Sequence, residues 1–174
     1  MISARFNGLL IIGFSRKDNA MPRNVYSEIN LHITWHTKGN MPVLTEQVES
    51  RAHNHIKHSV LQTEGCLFHD IGGTENHVHL VVSIPPTLLV SEWIGKLKGA
   101  SSHYINNEIE NRKLLEWQTG YGVVSFGTKD MEWVISYVRN QKQHHARGTI
   151  HERLERIDRE EMAKAEPGKH AKAR

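Results

Sequence analysis

The chain has 174 residues, 38% of them hydrophobic and 24% charged, with a formal net charge of +3. Such a length and apolar content suit one soluble domain and exclude a wholly disordered or fibrous chain, while the mild basic excess allows a polyanionic partner. The single cysteine, Cys66, excludes an intramolecular disulfide and a multi-cysteine zinc site, and no apolar run approaches the roughly 20 residues of a membrane span; a cytoplasmic protein without a membrane partner is expected.

GLLIIGF (8–14) resembles a short signal core, but SRKDNA behind it lacks a small-residue cleavage pattern. Residues 1–23 are expected to be a poorly ordered extension, with regular patterning opening near Met21. EINLHITWH (28–36) alternates. Ile29, Leu31, Ile33 and Trp35 face one side, and Asn30, His32 and Thr34 the other, which predicts a half-buried strand. After the loop KGNMP (38–42), Thr45 is a cap for a helix in which Val48, Ala52, Ile56 and Val60 recur every four residues, and Gly65 stops it. CLFHDI (66–71) and HVHLVVSI (77–84) read as an antiparallel hairpin around the turn GGTEN (72–76), ended by Pro85 and Pro86. Ser91 is a cap for a second helix carrying Ile94, Leu97, Ser101 and Tyr104, with Lys96 and Lys98 off that stripe. WQTGYGVVSFG (117–127) is a glycine-punctuated strand or loop. Thr128 or Asp130 then opens a third helix with Met131, Val134, Ile135 and Val138 as its apolar face.

The order β-α-β-β-α-β followed by a helix predicts an α+β fold. It is a ferredoxin-like split βαβ sandwich with an antiparallel sheet, helices on one face and the other face left for function. Residues 24–149 form the domain, and 150–174 a charged C-terminal arm and tail.

Thirteen histidines direct attention to metal or phosphate chemistry. On a strand, residues i and i+2 share a face about 6.6 Å apart. His77 and His79 therefore point together, opposite Val78, Leu80, Val82 and Ile84. Two such imidazoles are half of a metal site, or two satisfied strand histidines; His-x-His alone does not decide. Tyr137 and Gln141 stand one helical turn apart, about 6 Å in rise, so a hydroxyl and an amide are presented on one face. A boundary tyrosine beside a surface glutamine has the same spacing.

The ordered combination is more specific than its pieces. NLHITWHTKG (30–39), IGGTENHVHLVVSIPP (71–86), WIGKLKGASS (93–102), WQTGYG (117–122) and YVRNQKQHH (137–145) occur in sequence. Over roughly 24–155 the chain resembles the single-tyrosine His-hydrophobic-His (HUH) transposases, the bacterial insertion-sequence transposases of the two-hundred type. The resemblance implies that His77, His79 and Gln141 are metal ligands and that Tyr137, on a C-terminal catalytic helix, is the nucleophile. The implied metal is Mg2+ or Mn2+. The implied chemistry is nicking and rejoining of single-stranded DNA through a 5′-phosphotyrosine, with hairpins near element ends recognised by a homodimer with composite sites. One departure is Asn76, where the family often has Asp. Lys96, Lys98, Arg139, Lys142 and Arg147 are candidate phosphate contacts, or solvated charges. Tyr121 is the rival nucleophile, whereas Tyr104 belongs with the core.

Two other readings stay open. A non-mobile, domesticated single-stranded nucleic-acid binder would bind without cleaving. A histidine-triad-like nucleotide hydrolase would need a third histidine where Val81 stands.

Overall fold

The computed structural model describes residues 26–157. The expected N-terminal extension and the end of the charged tail lie outside the described residues. Four strands form one sheet, β1 (Asn30–His36), β2 (Leu67–Thr74), β3 (His77–Ser83) and β4 (Gly122–Phe126). Their order is β2-β3-β1-β4, and every pairing is antiparallel. With α1 (Glu46–Leu61) after β1 and α2 (Val90–His103) after β3, the topology is the expected split βαβ sandwich. Three short helices follow: α3 (Met131–Arg139), α4 (Gln141–Arg147) and α5 (Glu152–Glu155).

Alternation in the strands builds two cores. Ile33 and Trp35 of β1 and Val78, Leu80 and Val82 of β3 face α1 and α2, where Ala52, Ile56, Val60, Ile94 and Leu97 meet them. Burying each of these side chains contributes about 1.5–3 kcal/mol, so this layer carries most of the apolar stabilisation. Val81, on the other face, packs with Val134, Tyr137, Val138 and Leu154 in a second, smaller core.

That second core corrects the expectation of a half-buried strand and an uncovered sheet face. Asn30, His32 and Thr34 are as buried as the apolar residues opposite, because α5 lies across β1 while α3 covers β2 and β3. The hairpin differs too. β2 runs on through Gly72 and Gly73, leaving only Glu75 and Asn76 to turn. The glycines belong in the strand because other backbone comes close. A Cβ on Gly72 would sit 2.1 Å from the Val138 carbonyl oxygen of α3, and one on Gly73 2.1 Å from that of His77.

The third helix is not continuous through Gln141. Asn140 leaves helical geometry, at φ −100° and ψ 19°, and separates α3 from α4. Nor does the charge-rich segment stand apart as an arm over its described part: Leu154 and Ile157 are buried, and a Cβ on Gly122 would meet the Arg156 carbonyl oxygen at 2.2 Å. No side-chain caps form at Thr45 or Asp130, and α2 begins one residue before Ser91. Among the described residues no helix is long and apolar enough to cross a membrane.

Candidate active site

β3 places His77 and His79 on the sheet face under α3–α5, both fully enclosed. Their ring centroids are 4.9 Å apart. The outer nitrogen of each ring is set by what the inner one meets. Nδ1 of His77 lies 2.8 Å from Asn76 Oδ1 and 2.9 Å from Thr74 Oγ1. An amide oxygen only accepts, so Nδ1 carries the proton and Nε2 presents a lone pair. Asn76, the departure from the family pattern, therefore orients His77. Nδ1 of His79 lies 2.8 Å from Nε2 of His32 on β1. If His79 donates there, its Nε2 is also a free lone pair.

Burial, reinforced by His79 and His36, pushes His77 down to about 3; burial and His79 do the same to His32, also to about 3. Both rings are neutral at physiological pH. His36 stacks on His77 at 4.9 Å and is lowered as well, chiefly by burial.

Tyr137 hangs from α3 over this pair, 6.2 Å from the His79 ring. Its hydroxyl accepts the His151 backbone N–H at 2.9 Å and donates to Oε1 of Glu155. Burial and the Glu155 hydrogen bond push the phenol up to about 12. The other oxygen of Glu155 faces three imidazoles: Nε2 of His79 at 3.4 Å, of His145 at 3.7 Å and of His77 at 3.9 Å. Burial alone would raise the Glu155 carboxyl, but His79, Tyr137 and His77 outweigh it and hold the group at about 2.

Gln141, the first residue of α4, is buried against Tyr137, with Nε2 3.5 Å from the Tyr137 carbonyl oxygen. Three side-chain atoms around Tyr137 are buried without a hydrogen-bond partner: His77 Nε2, His79 Nε2 and Gln141 Oε1. Leaving one such atom unmet costs about 1–3 kcal/mol, and the outer nitrogens of His77 and His79 converge on the second oxygen of Glu155, a set of donors that a cation fits. His77, His145 and Glu155 also offer ligand atoms within 4.8 Å of one another. A carboxylate among them makes the donor set harder than two imidazoles and an amide, and suits Mn2+ or Mg2+ better.

Sequence reasoning missed Glu155 and left His145 ambiguous. HH at 144–145 and the acidic 152–155 gave no periodic signal toward a site. The rival hydroxyls are elsewhere. Tyr104 stacks on His55 at 4.5 Å, and both Tyr104 and Tyr121 pack against the first core. The placement corrects the expectation of DNA contact for Lys98, which is buried and donates to the Thr119 and Gly120 carbonyl oxygens at 3.0 Å each. Arg139 pairs with Asp70 on β2 and Lys142 with Glu49 on α1, while Lys96 and Arg147 are exposed. Val81 spends its side chain on the second core, so the strand does not carry the His-x-His-x-His pattern of a histidine-triad hydrolase.

Set on an antiparallel sheet, the constellation defines a class: an α+β protein that brings a helix-borne tyrosine hydroxyl to a histidine pair. Residues 25–141 match the family described as Transposase IS200 like. This is more than half of the chain, and the chain belongs to that family of transposases. Among solved structures it is similar to a REP-associated tyrosine transposase bound to a REP hairpin, with a TM-score of 0.52 and 16% identity over 75% of this chain and 76% of that one. A candidate transposase from Deinococcus radiodurans R1 is 18% identical over 70% of this chain and 96% of its own, with a TM-score of 0.49. No curated protein matches.

Proposed function

We propose that this transposase nicks and rejoins single-stranded DNA at element ends, with Tyr137 as the nucleophile. Support comes from one observation above all: the Tyr137 hydroxyl and a buried histidine pair share the Glu155 carboxylate, one oxygen meeting the hydroxyl and the other facing the outer nitrogens of His79 and His77 at 3.4 and 3.9 Å. His77, His79 and Gln141, with Glu155 and His145 beside them, would hold Mg2+ or Mn2+. When bound, that ion withdraws charge from the phosphate oxygens.

In the reaction, the Tyr137 oxygen bonds to phosphorus and the bond from phosphorus to the 3′ oxygen breaks. The products are a 5′-phosphotyrosine and a free 3′-hydroxyl, and a later 3′-hydroxyl attack reverses the step without a nucleotide cofactor. The tyrosyl proton has a ready acceptor in Glu155. The phenol sits near 12 and the carboxyl near 2, so at rest the proton stays on Tyr137. Transfer belongs with oxygen–phosphorus bond formation and does not precede it. His151 N–H holds the same oxygen in place.

Hairpin DNA is the proposed substrate, in keeping with the ligand of the similar REP-associated enzyme. Assembly as a homodimer is part of the reading, although within one chain Tyr137 already lies over its own histidines; the cis arrangement needs no partner. The alternative, a domesticated binder, would hold the same DNA without forming the ester.

Single-stranded hairpin DNA, incubated with Mn2+ or Mg2+, should yield a covalent protein–DNA adduct that Tyr137→Phe abolishes. An adduct surviving in that variant would transfer the nucleophile's role elsewhere. Binding with neither adduct nor metal effect would favour the domesticated binder.

A further inference from the structure

Beside the hydroxyl of Tyr137, α3 and the segment after α4 enclose an aromatic pocket of about 310 Å³. Trp133 forms its outer wall, 51% exposed and part of neither packed core. Its ring stacks on Tyr137 at 6.0 Å and meets the edge of His151 at 5.3 Å. A second pocket of about 300 Å³ adjoins, sharing Ser136, His144 and Thr149. Its remaining walls are polar: Asn140, Gln143 and Arg147. An apolar slot walled by rings thus runs into one walled by amides and a guanidinium.

We propose that the two pockets form a nucleotide subsite. An unpaired base next to the phosphate attacked by Tyr137 stacks on Trp133, and the adjoining nucleotide meets Arg147, Asn140 and Gln143. The inference rests on the strand-transfer reading only for the position of that phosphate. An exposed tryptophan that stabilises neither core gains most from a flat, apolar partner, and every base has such a face. Stacking is therefore tolerant of sequence, whereas the amides of the second pocket can read a base edge and its guanidinium a phosphate. Paired bases keep their faces inside the duplex, so the subsite admits an unpaired strand only.

The test uses the full chain without divalent metal, titrated with oligothymidylate and with an abasic deoxyribose-phosphate strand of equal length. Tryptophan emission is the readout: Trp35 and Trp93 are buried and Trp117 partly so, which leaves Trp133 as the exposed reporter. Oligothymidylate should quench the emission and bind more tightly than the abasic strand. Both variants lack the reporter, so their affinity is read from the anisotropy of end-labelled strands: Trp133→Ala should lose about tenfold in affinity for oligothymidylate alone, while Trp133→Phe keeps most of the affinity. Equal affinity of the wild type for both strands overturns the subsite. So does a loss in Trp133→Ala that is the same for both strands, since that marks disturbed folding or charge. Adduct formation is read separately. An adduct without base dependence removes the subsite alone; base dependence without an adduct removes the proposed chemistry alone.

Discussion

The Glu155 carboxylate divides its oxygens between two tasks. One accepts the hydrogen bond of the Tyr137 hydroxyl, and the other closes a ring of three imidazoles. A neutral glutamine of the same shape could still accept the hydroxyl but could not take its proton. Glu155→Gln should therefore lower the rate of adduct formation by about 10²-fold or more, as expected on losing a positioned proton acceptor. Noncovalent DNA binding should survive. The check is single-turnover adduct kinetics beside a binding titration; an unchanged rate would remove Glu155 from the chemistry. The residue escaped sequence reasoning because ERLE (152–155) lies in a charged stretch with sparse apolar positions. Leu154 is what seats it, and one leucine is not a period. His77, His79, Tyr137 and Gln141 were singled out through the family resemblance; strand spacing puts the two histidines on one face, but spacing alone left their roles open, and the helix assumed to join Tyr137 to Gln141 breaks at Asn140. Asn76 was noticed as a neighbour of the pair, but the inner partner His32 was not, since register across strands is needed to see it.

Among the elements, α3 owes its place to an absence of side chain. Gly72 lets the Val138 carbonyl oxygen come within 2.1 Å of where a Cβ would stand. Gly72→Ala must push backbone away, not a pliable side chain, and the cost of such overpacking is about 1–3 kcal/mol. The unfolding temperature should fall by several degrees per kcal/mol lost. Adduct formation should fall further than stability does, because the displaced helix carries Tyr137, the proposed nucleophile. A variant with normal Tm and normal adduct yield would show that α3 tolerates being lifted. The elements themselves were largely readable. Alternation gave β1 and β3, four-residue spacing gave α1, mixed three- and four-residue spacing gave α2, and glycines and prolines marked most ends. What failed was long range. GGTEN looks like a turn by composition, and only the approach of α3 shows why two of its glycines serve as strand. The break at Asn140 was equally hidden, since YVRNQKQHH contains no proline or glycine.

For the whole molecule, three enclosed histidines make stability depend on pH. Burial, helped by the charge of Lys142, pushes His53 down to about 4, and His32 and His77 lie near 3. The unfolded chain takes up protons below about 6.5, whereas the native state resists them until about 4 or 3. Stability is therefore complete above about pH 6.5 and drains away as pH falls through the window beneath it. With a chelator present, the urea midpoint should decline steadily from about pH 7 to about pH 4. His53→Gln should flatten part of that decline, and a level midpoint in the wild type would contradict the burial of neutral imidazoles.

The segment matched to the family ends at 141, but the candidate site does not. His145, His151 and Glu155 all follow it, and Arg156 passes over Gly122. Two transposases could thus share the histidine pair, the tyrosine and the glutamine while differing in what receives the tyrosine's proton. Trimming this chain near residue 148 to a tidy family domain would leave the motif intact and strip the second core of Leu154. Variation among such enzymes is then best sought downstream of the motif that defines them, in a stretch that alignment on the motif leaves out.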